Sequence, residues 1–545
     1  MSRMRQGRYI VCVCCAMLLA LSMPSAFAEA QTFTQEELIE DTRQLAEIIE
    51  STHADPYING GGKIAFHRGV WTILESIPEG GMGTVEYLRL IRPLVASIGD
   101  GHTFISTTFR ASSTYPGGVP LLFGVVENSL YVCGLPRAMR SSHSHLLGAR
   151  LVSVEGVPLD ELRKRVAEVD AVENDYKALL LLADRSLVFA PYLQELIPSW
   201  SDTTEIELRL QHAGGGTEDV SLELPVFFVS RNANPIESQA DLPSSSSPLF
   251  YTFLDPERRT AYLKVEHMGS SSYREASESN GQPELISSGL PSVTEVFASM
   301  VEAMHEAGSD ALIVDLRTNE GGHPIMYHVL LYMLYGKDPL RDVYFSGQTS
   351  GGGYTERYSE LWYSHVSVTI EELNEDREIP YEIGDYSFDR DFSGRPEEFN
   401  LDSSWQDMID WYAQSDTFYA DFETGLHEEY YLPEHVLVLV SPETFSSGAA
   451  MMRSLAQAGA SLVGTPSAQP TNSFGRNMLH WRLGHTGIDG YISIGYTTRD
   501  TSLPAHGSVY PVDYELTYER LAEYSFDPHA TFLYALDLLA DWRVK

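Results

Sequence analysis

The sequence runs to 545 residues, 43% of them hydrophobic, with 37 basic residues against 76 acidic ones and a formal charge of −39. That length exceeds a single compact core and implies two or three domains, and so negative a surface repels nucleic acid and anionic lipid and disfavours both as partners. The acid is dispersed through hydrophobic sequence, which marks the solvated surface of a globular protein rather than disorder.

In chain order, residues 1–28 read as an export signal. Arg3, Arg5 and Arg8 precede an apolar stretch from Ile10 to Leu21, and Ala26-Phe27-Ala28 supplies the small-x-small pattern that a signal peptidase cleaves. The apolar run is shorter than the ~20 residues needed to span a bilayer, and no later segment is long and apolar enough, so no stable membrane insertion is expected after cleavage. The expected destination is periplasmic or secreted. Cys12, Cys14 and Cys15 leave with the signal, and Cys133 alone cannot form an internal disulfide.

Residues 29–112 read as a small helical domain. Thr34 and Glu37 stand in capping-box spacing ahead of Leu38, Leu45, Ile48 and Ile49 on one helical face. A second helix from Thr84 to Ile98 is expected to bend at Pro93 and end at Gly99, which leaves "DGHTFI", with His102, on the turn beyond. Residues 113–230 turn to short strands, the last two being a hairpin in which Ile206, Leu208 and Leu210 face Val220, Leu222 and Leu224. Within them the spacing of Gly148, Leu151, Val154 and Gly156 resembles the peptide-binding PDZ module. Residues 231–247 are Pro/Ser-rich and read as a linker.

From 248 to 545 apolar runs alternate with helical stretches: "AYLKV", "VTEVFASMVEAMHEAG", "ALIVDL", "VLVLV", "GAAMMRSLAQAG" and "SLVG". Buried strands separated by such helices predict an α/β domain on a largely parallel sheet. Polar, aromatic, Gly-rich residues 338–434 interrupt the rhythm and read as an insertion over the site.

A serine attacks a carbonyl only when a base removes its proton and backbone N–H groups hold the resulting oxyanion. Two strand-to-helix turns offer this: "VDLRTNEGGHP", which exposes the amides of Gly321 and Gly322, and "TFSSGAA", which puts Ser446 at a helix start with the amide of Ser447 after it. Ligands of open parallel sheets bind beyond the carboxyl ends of the strands, where helix N-termini favour developing negative charge. Locally, however, Ser446 reads first as a helix N-cap, and the glycine turn as only a turn.

Together with "DGHT" upstream and "HGSVYPVDYEL" near the end, these stretches resemble the S41 family of serine peptidases, which includes the tail-specific C-terminal processing proteases and the core of tricorn protease. The order and spacing of the motifs carry the resemblance over most of the chain. It implies a PDZ-like part followed by a crotonase-like (ClpP/crotonase) α/β catalytic domain, Ser446 as nucleophile, and an oxyanion hole from Ser447 and Gly321 or Gly322. Tail-specific members take a lysine about two dozen residues after the serine as base, but the only lysine after Ser446 is Lys545. The tricorn-like branch uses a histidine, which His102 matches, and an imidazole titrates near neutrality without special tuning.

Two departures stand out. Where that branch has a serine before its histidine, Gly101 stands here, and its late glutamate has no clear counterpart ahead of "GSVYPVD". Asp500 or Asp513 is available to orient His102, with Asp500 preferred. His323 reads as a pocket neighbour, Arg317 and Glu320 as structural parts of the same turn, and His480, His485 and His506 as the remaining candidate bases.

The reading is an exported serine endopeptidase acting on peptides or unfolded proteins through an acyl-enzyme. The alternative is a non-catalytic ligand- or peptide-binding protein on the same fold. No G-x-S-x-G elbow supports a lipase-like esterase, and no H-E-x-x-H supports a metallohydrolase; neither metal nor cofactor is expected.

Overall fold

The computed structural model describes residues 32–106, 117–200, 204–225, 238–269, 291–322, 325–349, 353–365, 369–375, 380–386, 431–504 and 507–544. The export signal, His323, His506, residues 231–237 of the expected linker and most of the expected insertion lie outside them. No described helix is long and apolar enough to cross a membrane.

The chain opens with three helices, α1 (Gln35–Thr52), α2 (Lys63–Ser76) and α3 (Thr84–Ala96). The Thr34–Glu37 capping box forms at the start of α1. Helix α3 runs through Pro93, and Gly99, at φ +64°, turns the chain out of it toward His102. An antiparallel sheet follows, in the order β1 (Leu122–Val126), β2 (Ser129–Gly134), β3 (Arg150–Val154), β4 (Glu205–Gln211), β5 (Thr217–Glu223), with α4 (Leu159–Val169) and α5 (Asp175–Leu181) between β3 and β4. The expected hairpin is β4–β5, with Ile206 opposite Leu222 and Leu208 opposite Val220; Leu224 lies beyond β5, where its N–H reaches Thr204.

The largest sheet of the second half runs β6 (Leu249–Phe253), β7 (Thr260–Val265), β8 (Ala311–Asp315), then β10 (His435–Val440), β11 (Ser461–Gly464) and β14 (Tyr514–Glu515). All neighbours are parallel except β6 against β7. The near-continuous apolar runs that predicted these strands follow from burial on both faces. Leu312, Val314, Val436, Val438 and Val440 pack with Phe297, Met300 and Met304 of α6 (Val293–Ala307) and Met452 and Leu455 of α7 (Ser447–Gln457). The alternate residues Ala311, Ile313, Leu437 and Leu439 meet Phe532, Ala535 and Leu539 of α8 (Ala530–Val544) on the other face. Period-2 alternation thus divides one strand between two cores.

A third sheet, β9 (Gly353–Glu356), β13 (Asp489–Thr498), β12 (Ser473–Arg482), is antiparallel, and the short strand Phe104–Ile105 just after His102 pairs with β13. Strand β9 comes from the stretch expected as an insertion, of which residues 387–430 are outside the described ones. The helical N-terminal segment shares its core with this sheet: Leu38, Leu45, Ile49 and Ile91 pack with Trp481, Ile488, Ile492 and Ile494. Wholly buried Asp41 of α1 fastens the two, accepting from the N–H groups of His485 and Thr486 and from the Thr486 hydroxyl at the β12–β13 turn.

Asp41→Ala leaves those three donors without their acceptor, and hydrogen bonds to a charged group are worth about 1.5–3 kcal/mol each. It is expected to lower stability by roughly 3 kcal/mol or more in urea denaturation. A loss below about 0.5 kcal/mol would mean that water replaces the carboxylate and that the fastening is unimportant.

Candidate active site

The chain leaves β10, makes the turn Ser441–Phe445 and enters α7 at Ser446 with φ +52° and ψ −123°. A side chain resists that backbone region, which costs on the order of 1–3 kcal/mol and persists only where the surroundings impose it. They do so here: Phe445 N–H donates to Asn319 O, Thr444 Oγ1 to Leu316 O, and Ser447 Oγ to Gly322 O at 2.7 Å, all from the turn after β8. The Ser446 side chain does not cap α7. Its Oγ lies instead 3.1 Å from His102 Nε2. The N-cap reading therefore gives way to a strained strand-to-helix turn that presents a hydroxyl to an imidazole, the same local device as a nucleophile elbow.

The two glycines differ in what they do. Gly321 N–H is taken by Asn319 Oδ1 at 2.9 Å, and a Cβ at 321 would fall 2.5 Å from Ser446 Cβ, so this glycine makes room for the serine. Among the described residues the N–H groups of Gly322 and Ser447 have no acceptor, which leaves them available to a ligand oxygen. Arg317 is structural, as expected, forking onto Asp315.

His102 is 3% exposed, stacked on Phe445 with ring centroids 5.1 Å apart. Its turn is tied down by Asp100, a completely buried carboxylate that accepts from His102 N–H (2.8 Å), Thr103 Oγ1 (2.6 Å), Ser493 Oγ (2.6 Å) and His53 Nε2 (3.2 Å). His53 Nδ1 accepts from Asp55 N–H, so its proton sits on Nε2 and points at Asp100. Burial opposes ionisation of Asp100, but bonds from His102 and His53 outweigh it and hold the carboxyl far below the usual range. Asp100 Oδ1 lies 3.6 Å from His102 Nδ1, beyond hydrogen-bond length, and Nδ1 has no acceptor.

A second carboxyl, which sequence reasoning missed, adjoins the imidazole. Glu173 precedes α5, is 1% exposed, and neither of its side-chain oxygens finds a side-chain or backbone donor of normal geometry. A Cβ at position 101 would sit 2.7 Å from Glu173 Oε2 and 2.8 Å from Phe445 Cζ, so the bare Gly101 lets both side chains pack against it unshifted. Burial pushes Glu173 up to about 7, with Asp100 adding to the rise and the His102, Lys177 and Gly101 N–H contributions offsetting it. Lys177 Nζ stands over the Phe445 ring, 4.3 Å from its centroid. Asp100, His102 and Glu173 each offer an atom within 4.8 Å of the others, a spacing that a cation could bridge. Such an ion would have to compete with the donors already on Asp100.

Asp500 does not join this group. Its carboxylate is exposed and accepts from the N–H and hydroxyl of Ser502, while Asp513 accepts from Leu462 N–H. The carboxyls near His102 are Asp100, inside the quoted "DGHT", and Glu173, whose only sequence signal is the Asn174 cap after it. His480 and His485 pair with Asp489 and Glu40, outside the cluster.

No protein-family model and no curated protein matches the chain. Likeness appears in three dimensions. Mature CPAF complexed with lactacystin aligns over 92% of this chain and 98% of its own at 13% identity, with a TM-score of 0.53. Mature CPAF aligns over 91% and 96% at 14% identity (TM-score 0.52), and a serine-to-alanine CPAF mutant over the same shares at 14% identity (TM-score 0.54). What is shared at such identities is the fold.

The raised Glu173 carboxyl has a consequence for stability. Between about pH 4.5 and 7 the folded protein holds a proton that the unfolded chain has released, so the group favours folding fully only below about 4.5, and that contribution is lost as pH rises through about 7. Glu173→Gln, uncharged throughout, is expected to exceed the native chain in stability at pH 8 by roughly 3 kcal/mol and to match it near pH 4.5. Equal stability at both pH values, read from urea denaturation, would mean that Glu173 is ionised and paired.

Proposed function

We propose that the protein is a serine peptidase of the S41 type, exported by its leader, that cleaves peptides or unfolded proteins through an acyl-enzyme. The observation that carries this reading is the 3.1 Å approach of Ser446 Oγ to His102 Nε2 at a serine held in a strained backbone conformation. A binding protein has no need of that strain, which argues against the non-catalytic alternative. The fold shared with CPAF is consistent with the reading, as is the motif order "DGHT", "DLRTNEGG", "TFSSG".

In this mechanism Ser446 Oγ attacks the peptide carbonyl while His102 Nε2 takes its proton, and the N–H groups of Gly322 and Ser447 receive the oxyanion. His102 must then present a lone pair at Nε2 and carry its proton on Nδ1, on the side of Asp100 and Glu173. As the imidazole becomes cationic, a small rotation closes the 3.6 Å gap to ionised Asp100. Glu173 is a positioning residue: pushed up by burial, its neutral form avoids a second buried anion beside Asp100, and it supports the imidazolium ring through its contact under Gly101. His102 next gives its proton to the leaving amine, and water repeats the sequence on the acyl-enzyme.

The remaining parts take the roles that the resemblance implies. Residues 248–545 form the crotonase-like catalytic unit, residues 113–230 form a PDZ-like unit that delivers peptide, and residues 29–112 supply the base.

A fluorophosphonate probe is expected to label Ser446 of the mature protein, located by mass spectrometry, and Ser446→Ala to abolish both labelling and peptide hydrolysis. His102→Ala should cost a factor on the order of 10³ or more in kcat/KM. Labelling at another serine, or full hydrolysis by Ser446→Ala, would overturn the assignment. The acid limb of kcat/KM is a further check: it should fall about tenfold per pH unit as the base protonates, and Asp100→Asn should lower kcat while Glu173→Gln reshapes that limb. An acid limb unaltered in Glu173→Gln would remove Glu173 from the mechanism and leave Asp100 as sole partner.

A further inference from the structure

Two turns along α7 from Ser446, Arg453 is 3% exposed, and its Nε and Nη1 have no hydrogen-bond partner among the described residues. A buried guanidinium is ordinarily paired with a carboxylate, because burying the charge alone costs several kcal/mol. Here its neighbour is a second cation, Arg499, whose Nη1 donates to Thr471 O. The two line a cavity of about 260 Å³ with Thr471, Gln457, Tyr510 and Asp500. Thr471 Oγ1 is likewise buried without a partner among the described residues. Asp500, the acidic residue of the lining, is occupied by Ser502.

We propose that this cavity is a binding site for a small oxyanion, of the phosphate or carboxylate class, held by Arg453 and Arg499. Guanidinium groups present planar forks of donors that match two oxygens of such an ion, and the Thr471 hydroxyl adds a further donor. The volume lies below the usual range for drug-sized ligands and suits an ion or one acidic head group. The walls are rigid: Asn472 Oδ1 accepts from the N–H groups of Arg499 and Asp500 at 2.8 and 3.0 Å, while its Nδ2 donates to Asp500 O at 2.7 Å.

The cavity is built from the same two elements as the candidate active site. Helix α7 runs from Ser446 to Arg453, about 10 Å at 1.5 Å per residue. Strand β12 and its approach run from Thr471 to Gly475, where a Cβ would lie 3.5 Å from His102 Cε1. An anion here would neutralise the only unpaired charge on the helix that carries Ser446. Its source is either a free ion such as phosphate or the carboxylate of a peptide reaching about three or four extended residues from the serine. The inference stands apart from the peptidase reading, since it requires no turnover.

The test uses the mature Ser446→Ala protein at constant ionic strength, titrated with inorganic phosphate and followed by thermal denaturation and calorimetry. A saturable rise in Tm is expected, and Arg453→Met should weaken phosphate binding at least tenfold while raising Tm in phosphate-free buffer, because it removes an uncompensated buried charge. Arg499→Met should weaken phosphate similarly, which keeps the test open if Arg453→Met folds poorly. Competition identifies the source: displacement of phosphate by short peptides with a free carboxylate, but not by their amides, assigns the site to substrate, and no displacement by either assigns it to a free ion. A phosphate response that survives in both arginine variants, or no response in the parent protein, would sink the proposal.

Discussion

The buried carboxylate of Asp100 is the constraint on which the candidate site depends. The imidazole and the serine that it faces are 344 residues apart, on a turn after the N-terminal helices and at the start of α7. Asp100 holds His102 there, by tying its own turn through Thr103 and His102 N–H to the end of α1 through His53 and to β13 through Ser493. Each donor is charge-assisted, and in a low-dielectric interior an ionised acceptor without them would be prohibitive. The N-terminal helices are thus part of the site's scaffold, which is consistent with the core they share with β12 and β13.

On the other side of the pair, geometry is imposed by backbone. The turn after β8 and the turn after β10 are neighbours because β8 and β10 are parallel and in register, Asp315 opposite Leu439. Adjacent carboxyl ends bring Gly321 and Gly322 against Ser446 and Ser447, and only a residue without Cβ fits at 321. The strain at Ser446 is therefore maintained by sheet register several residues away, where strands buried on both faces leave little freedom to relax.

Glu173 and Gly101 form one packing decision. A side chain at 101 would meet the Glu173 carboxyl and the Phe445 ring and force one of them to shift. Asp100, bonded by several donors, stays ionised, while burial first and the Asp100 charge second push Glu173 up.

The sequence by itself determined whatever short-range pattern encodes: the parallel strands from continuous apolar runs, the Thr34 cap, the β4–β5 hairpin, and the turns that carry His102, Gly321, Gly322 and Ser446. Periodicity and turn chemistry act over a few residues, and those are the distances at which letters can be read. Only the tertiary structure decided which carboxyl lies beside His102, because an aspartate in a solvated turn and one at 0% exposure are the same letter: Asp500 is exposed and away from the imidazole, and Asp100 is buried beside it. Glu173, the pairing of Asp41 with a turn more than four hundred residues away, and the meeting of Arg453 with Arg499 likewise had no local signal. Their energies come from burial, and burial is a property of the assembled core.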